Sequence, residues 1–204
     1  MLLYEILANF VNWKVNFVTR KSDTKSRAKV EKWHAIRVTY GRELKFAAVL
    51  QDEGYETFVP MALKKTEKDG KKEEKIVPAV SNLCFVRGEQ QFLYQFFKGM
   101  GEACPARFIW DRSTREPITV PDKAMTDFML VSRTMLDDTI YLHEVSSKLR
   151  EGQSVRVTDG PFKGVEGKVV RIRKSRRIMV ELPGMLAVAT TYIPNNWLEP
   201  ISAE

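Results

Sequence analysis

Residues 151–170, EGQSVRVTDGPFKGVEGKVV, constrain the fold more than any other segment of the chain. The segment begins with polar residues that alternate with Val155 and Val157, a pattern typical of a strand with one buried face. Pro161 then presets one dihedral angle of a turn. Three glycines around this turn permit backbone angles that other residues avoid, namely Gly160, Gly164 and Gly167. The segment therefore predicts two short strands joined by a tight turn.

Further short β-prone runs follow at residues 167–173, 178–182 and 185–193, separated by Gly or Pro turns. About five short strands in roughly fifty residues predict a small barrel. The predicted interior positions are Val155, Val157, Val169 and Ile172. Phe162 lies in the turn, where we expect an exposed ring that either contacts a partner or covers the core.

Residues 33–132 have a different texture, in which β-prone runs alternate with segments of helical periodicity. The patterns predict helices at residues 42–52 and 90–98, and a third helix that begins at Asp122. Predicted strands lie at 33–38, 57–63, 76–77, 83–86, 108–110 and 118–120. The charged residues 64–75, KKTEKDGKKEEK, interrupt the second strand and predict a hairpin tip at Asp69-Gly70. The pattern is that of an α+β sandwich with helices on a mainly antiparallel sheet.

The flanking segments predict the domain boundaries. Residues 1–32 end in a polar, charged stretch and are expected to be a flexible leader, or the product of a start codon assigned too far upstream. Residues 133–150 lack sustained β periodicity and suit a linker. We therefore expect one domain at residues 33–132 and a barrel at residues 151–204.

Charge and residue usage narrow the function classes. The net charge of +7 favours polyanionic partners, although acidic residues are mixed among the basic ones. The two cysteines form no CxxC pair, and His34 and His143 lack spaced partners, so we expect no metal, no cofactor and no enzymatic activity. The first residues lack the pattern of a signal peptide, and no run is long enough to span a bilayer. The expected location is the cytoplasm.

Residues 151–170 resemble a KOW motif. Trp33 to Val86, which begins WHAIRVTYGRELKFAAVLQDEGYETFVPM, resembles the N-terminal domain of the NusG family, called NGN. Together the resemblances imply an NGN domain with an antiparallel sheet and helices, followed by a small all-β, SH3-like KOW barrel. Residues 79–83 read Ala-Val-Ser-Asn-Leu where NusG has Phe-Phe-Pro-Gly-Tyr. The sequence looks nearest to specialised paralogues of the UpxY and RfaH type, which implies a role at long polysaccharide-type operons.

The NusG resemblance implies a transcription elongation or antitermination factor that binds RNA polymerase and suppresses pausing or termination. In the family, an apolar depression of the NGN domain grips the clamp helices of the largest polymerase subunit. By position, the corresponding residues here are Val59, Met61, Val80, Leu83 and Phe85. A partner site of this kind would form an exposed apolar patch, which a monomeric protein rarely displays otherwise. We therefore expect these side chains to be exposed in the free protein. Each one taken singly also suits an ordinary core position.

Other residues are candidates for nucleic-acid and protein contacts. Tyr40, Arg42 and Lys45 could touch the non-template DNA strand, since cations pair with phosphates and a ring stacks on bases. A basic ridge on the barrel could touch RNA, at Arg171, Arg173, Lys174, Arg176 and Arg177. Solvated surfaces would explain both groups equally well. The KOW turn is the surface that would face NusE or Rho by resemblance, at Gly160, Pro161, Phe162 and Gly164. No membrane contact is expected, and the protein is predicted to be a monomer.

Two alternatives stay open at this point. A ribosome-associated or RNA-binding KOW protein would use the basic ridge as its main site. An autoinhibited factor whose barrel segment first packs as helices resembles RfaH behaviour. Gly160, Pro161, Gly164 and Gly167 are poor helix formers, so the barrel is the predicted resting fold.

Overall fold

The computed structural model describes residues 31–68, 71–134, 136, 139–142, 152–172, 174–182 and 184–201. The predicted leader, His143, Arg173 and the hairpin-tip residues Asp69 and Gly70 lie outside this part of the chain. Within it, the α+β fold class and the barrel are confirmed.

The first domain is built on a five-stranded antiparallel sheet. Strand β1 lies at its centre, and five of its seven residues from Lys32 to Val38 are buried, all except Lys32 and Arg37. The strand order is β2-β5-β1-β6, and β7 also pairs with β1. The strands are β1 (Lys32–Val38), β2 (Glu56–Phe58), β5 (Leu83–Gly88), β6 (Ala106–Phe108) and β7 (Thr119–Val120).

Three helices cover the two faces of this sheet. They are α1 (Glu43–Asp52), α2 (Gln90–Gly99) and α3 (Asp122–Thr134). Alternation along β5 decides which side chain faces which helix: Leu83 and Phe85 join the cluster of α3, whereas Cys84 and Val86 join that of α1 and α2. The sheet therefore has two apolar faces with separate clusters.

The charged segment forms a hairpin of its own, of strands β3 (Met61–Lys68) and β4 (Lys71–Pro78). The prediction that residues 64–75 interrupt the strand is wrong, because most of them pair across the hairpin, from Lys64 with Lys75 out to Lys68 with Lys71. Cross-strand ion pairing contributes, since the Lys65 Nζ lies 3.4 Å from the Glu74 Oε1.

The barrel region is a six-stranded antiparallel sheet in the order β13-β9-β10-β11-β12-β8. Five of these strands fall in the predicted barrel: β9 (Ser154–Val157), β10 (Glu166–Ile172), β11 (Ser175–Leu182), β12 (Leu186–Ala189) and β13 (Leu198–Pro200). The sixth, β8 (Ile140–Leu142), comes from the predicted linker and pairs with β12. The predicted linker, which lacks sustained β periodicity, thus contributes one three-residue strand, because the edge of β12 supplies hydrogen-bonding partners that the local sequence pattern does not reveal.

Candidate functional site

The apolar face on the α3 side of the first domain is continuous with the core of the barrel. One cluster of buried side chains includes Trp33, Leu83, Phe85 and Phe128 from the first domain and Val157, Val180, Leu186 and Val188 from the barrel. Phe128 lies at its centre, with ring centroids 6.1 Å from Phe58 and 5.8 Å from Phe85. The two domains therefore share one apolar cluster.

The five side chains predicted to bind polymerase are all buried, with exposed fractions of 8% for Val59, 9% for Met61, 7% for Val80, 3% for Leu83 and 0% for Phe85. The expectation that they are uncovered in the free protein is wrong for this structure. Val80, Leu83 and Phe85 belong to the cluster that the first domain shares with the barrel. Phe85 is covered within its own domain by the rings of Phe58 and Phe128. Val80 and Leu83 lie at the rim of the cluster, next to the barrel residues Met185 and Leu186.

Val59 and Met61 do not lie with the other three. Both pack in the cluster of α1 and α2, on the opposite face of the sheet. The register explains the separation, because Phe58 pairs with Phe85 and shares its face, so the next residue along the chain must point to the other side.

A cleft of about 340 Å³ remains at the rim of the shared cluster. Val80, Asn82 and Leu83 line one wall, and the barrel residues Met185 and Leu186 line the other. The apolar face is thus covered but retains a hollow that both domains border.

Polar groups fix the barrel on helix α3. The buried Asp127 carboxylate accepts a hydrogen bond from the Glu166 N–H and is also paired with Lys123. The Lys123 ammonium donates to the Gly164 carbonyl across 2.9 Å and lies 4.0 Å from the Glu166 carboxylate. We call Lys123, Asp127, Gly164 and Glu166 the interdomain latch.

Glu43 was not predicted as a site residue, yet it shapes the loop before β5. Its buried carboxylate accepts a hydrogen bond of 2.7 Å from the Asn82 N–H. Asn82 has a φ of 62°, and its carbonyl accepts from the Val38 N–H at 3.0 Å. The sequence showed only an acidic residue at the start of a predicted helix, and the residue that Glu43 binds lies 39 positions further along the chain.

The KOW turn is only partly exposed. Phe162 is 3% exposed and belongs to the shared cluster, so the expectation of an exposed ring is wrong, and of the two predicted uses the ring covers the core. Pro161 and Gly164 are exposed, and Gly160 is half-buried. The apolar ring avoids water here because the turn folds back on the barrel, with the Gly164 N–H donating to the Val157 carbonyl at 2.7 Å.

The predicted DNA contacts lie together on the surface. Tyr40 is 84% exposed, and the Arg42 guanidinium carbon lies 5.2 Å from the centre of its ring. Lys45 is exposed on the first turn of α1. Tyr40 has a left-handed φ of 65°, which turns the chain sharply before the helix.

The basic ridge of the barrel is smaller than predicted. Arg171 and Lys174 are exposed, and Arg171 pairs in register with the half-buried Arg176. Arg177 is buried and donates to the Thr190 carbonyl at 2.7 Å, so it faces inward rather than toward the ridge. Arg177 faces inward while Arg176 faces the ridge because neighbouring residues of a strand point to opposite faces of the sheet.

Two titratable groups of the core have shifted pKa values. Burial raises the pKa of the Cys84 thiol to about 12, and the nearby Glu43 adds to this. Burial also lowers the pKa of His34, against a backbone hydrogen bond with Gly88. Within the described ranges, no group of three or more His, Cys, Asp or Glu side chains is placed to hold a metal ion. The helices of the same ranges include none long and apolar enough to cross a membrane.

Two family models match separate parts of the chain. Residues 31–129 match the family described as "Transcription termination factor nusG", and residues 151–181 match the KOW motif. A solved structure described as "Domain interaction in Thermotoga maritima NusG" is 16% identical, with a TM-score of 0.40, and the match covers 84% of this chain and 98% of that one. No curated protein matches the chain significantly. Residues 31–129 are thus similar to the NusG family, and residues 151–181 are similar to the KOW motif that follows it along the chain.

Proposed function

We propose that this chain is a regulatory, non-enzymatic factor that binds RNA polymerase through the α3-side face of its NGN domain and suppresses pausing or termination. The observation that carries the proposal is the apolar cluster shared by the two domains. Its NGN half contains Val80, Leu83 and Phe85, which the family resemblance assigns to polymerase binding.

The partner on the polymerase would be the clamp helices of the largest subunit. A helix pair that offers apolar side chains could replace the barrel on this face, since either cover removes the same surface from water. The cleft between Leu83 and Leu186 would be the place where this exchange begins. Val59 and Met61 would support the face from behind, because they lie on the other side of the sheet.

The barrel would have two roles. In the closed arrangement it covers the polymerase-binding face, and after release it would bind NusE or Rho through the surface around Pro161 and Gly164. A ligand shifts such an equilibrium only by its preference for one state, so polymerase must bind the open state better than the closed one. Tyr40, Arg42 and Lys45, exposed at the start of α1, would then contact the non-template strand.

Pause assays with purified polymerase and the full chain test the proposal. We expect Leu83→Asp to release the barrel, because a carboxylate is costly in the shared cluster, and also to abolish binding to polymerase. Lys98→Ala, on an exposed position of α2, is the matched control and should act like the parent. A folded Leu83→Asp variant that suppresses pausing as well as the parent does would refute the assignment of this face.

We also propose, from resemblance, that the factor serves long polysaccharide-type operons. Such a specialist should raise transcription at the distal ends of a few operons only. RNA sequencing of a deletion strain would show this as loss of distal reads in those operons. A uniform change across all genes would contradict the specialist role.

RNA binding by the barrel is the second candidate function. The pairing of Arg171 with Arg176 concentrates positive charge on one face of β10 and β11, which favours a polyanion. Arg171→Ala/Arg176→Ala in the full chain should then weaken salt-sensitive RNA binding without changing polymerase retention. If polymerase is not retained by the parent while RNA is, this candidate replaces the first.

A further inference from the structure

Two arginines lie directly opposite each other at the end of the first sheet that borders the barrel. Arg37 of β1 pairs in register with Arg107 of β6, and both side chains are exposed. Residues opposed in this way have Cβ atoms about 4.5–5.5 Å apart, so two like charges here destabilise the strand pair. We call Arg37 and Arg107 the arginine pair.

The arginine pair differs from the other arginine on this face of the sheet. Neither of its members forms an ion pair with a carboxylate of the residues that the structure describes. Arg87 of β5, which alternation places on the same face, lies 3.5 Å from the Glu56 carboxylate and 3.4 Å from the Asp122 carboxylate. Because the fold offsets the charge of Arg87 and leaves the pair opposed, the pair is suited to an acid from outside the chain.

The arginine pair continues a row of side chains that begins with Leu83. Leu83 pairs in register with Arg37, so Leu83, Arg37 and Arg107 lie side by side on the α3-side face. Arg37 also lines the cleft between the domains, together with Val80 and Ile109. The face assigned to polymerase binding therefore has an apolar half next to a basic half.

The two halves differ in accessibility while the barrel is docked. Val80 and Leu83 are only 7% and 3% exposed, so a partner cannot contact them fully before the barrel moves. The arginine pair is exposed in the same arrangement. Charges act over about 8 Å at physiological ionic strength, whereas apolar groups attract only at contact distance. An approaching partner therefore meets the arginine pair first.

We propose that the arginine pair is the encounter site for an acidic patch on the polymerase helix pair, which binds there before the barrel leaves the apolar half. The inference rests on the proposed function and adds the charge of the partner and the order of events. The aliphatic wall of Val80, Leu83 and Ile109 favours a protein over a nucleic acid, which has no aliphatic side chains. Complementary charges of this kind raise the association rate more than the final affinity.

Stopped-flow association of the full chain with fluorescently labelled polymerase, at several salt concentrations, tests this order. The variant is Arg37→Gln/Arg107→Gln. The matched control is Arg112→Gln/Arg115→Gln, which removes the same charge from two exposed residues of the turn after β6. Arg37→Lys/Arg107→Lys keeps both charges and repeats the test should the glutamine variant fold poorly.

We expect Arg37→Gln/Arg107→Gln to associate with polymerase about tenfold more slowly than the parent, because two steering charges are lost. Its association rate should also depend less on salt, and its dissociation rate should change little. The control and the lysine variant should associate like the parent.

Four results would contradict the inference. Parent-like association of the glutamine variant, or equal slowing in the control, would overturn it and leave the proposed function in place. Affinity lost only through faster dissociation would place the arginine pair in the final complex and not in the encounter. Weaker DNA binding with unchanged polymerase association would assign the pair to nucleic acid. A parent chain that does not associate with polymerase at all would overturn the proposed function as well.

Discussion

The Asp127 carboxylate of helix α3 lies 3.0 Å from the backbone nitrogen of Glu166, the first residue of barrel strand β10, and accepts its hydrogen bond. A buried acid on one domain thus holds the backbone of the other. The contact is charge-assisted, and Lys123 neutralises the acid from the same helix. A substitution at Asp127 can therefore weaken the docking of the barrel without changing the apolar side chains of the interface.

Removal of this acid should open the protein. Asp127→Ala leaves the Glu166 N–H without its acceptor, a loss of about 1–3 kcal/mol, so the undocked fraction should rise about fivefold to a hundredfold. Hydrogen exchange at the Glu166 amide should accelerate, and polymerase should bind more tightly. Asp122→Ala, an exposed acid on the same helix that pairs with Arg87, is the control and should change neither. Unchanged exchange in Asp127→Ala would contradict the role of the latch.

Glu43 should order the loop that precedes β5. Glu43→Ala removes the acceptor of the Asn82 N–H and should cost about 1–3 kcal/mol of unfolding free energy. Glu43→Gln keeps an oxygen acceptor and should cost less. Urea denaturation measures the difference, and exchange at the Asn82 amide localises it. Equal stability of the alanine and glutamine variants would show that the hydrogen bond contributes nothing.

The KOW turn should tolerate a side chain at one glycine but not at the other. A Cβ at Gly160 would lie 2.5 Å from the Trp197 ring, whereas a Cβ at Gly164 meets nothing within 4 Å. Both residues have positive φ, 77° and 88°, so both alanine variants carry backbone strain of about 1–2 kcal/mol. Only Gly160→Ala adds the clash, and its thermal midpoint should be the lower of the two. The reverse order would show that Trp197 moves aside freely.

Stability should fall in mild acid because of His34. Its pKa is lowered in the folded state by burial, so the unfolded chain binds the extra proton first as pH falls below about 6.5. The stabilisation is therefore complete above that pH and lost below it, with a slope of up to about 1.4 kcal/mol per pH unit. His34→Gln should flatten the dependence between about pH 5 and 7. An unchanged slope in the variant would assign the effect to other groups.

Local patterns predicted most of the elements, and pairing decided the rest. The alternation around Val155 and Val157 and the glycine spacing identified the barrel, because those signals depend on neighbouring residues only. The face of Val59 depended on the register of Phe58 with Phe85, which the sequence does not state. The charged strand segments depended on partners across the hairpin, such as Glu74 for Lys65.

The cover on the α3-side face of the first domain could not be predicted for a related reason. Phe162, Leu186 and the apolar residues of α3 each suit the core of their own domain, and the sequence carries no mark that distinguishes two separate cores from one shared cluster. Glu166 and Asp127, which fix the docking, are 39 positions apart and look like ordinary surface acids.

Strand β8 limits how far the barrel can travel. Five residues separate Thr134 at the end of α3 from Ile140, a span of about 20 Å at full extension. While Ile140–Leu142 stay paired with β12, and the Tyr141 hydroxyl donates to the Met61 carbonyl at 3.2 Å, a released barrel can only pivot beside its own domain. A tethered barrel would then return to its docking face faster than a separate molecule could diffuse there. A competing partner has to bind during a brief opening or separate β8 from β12.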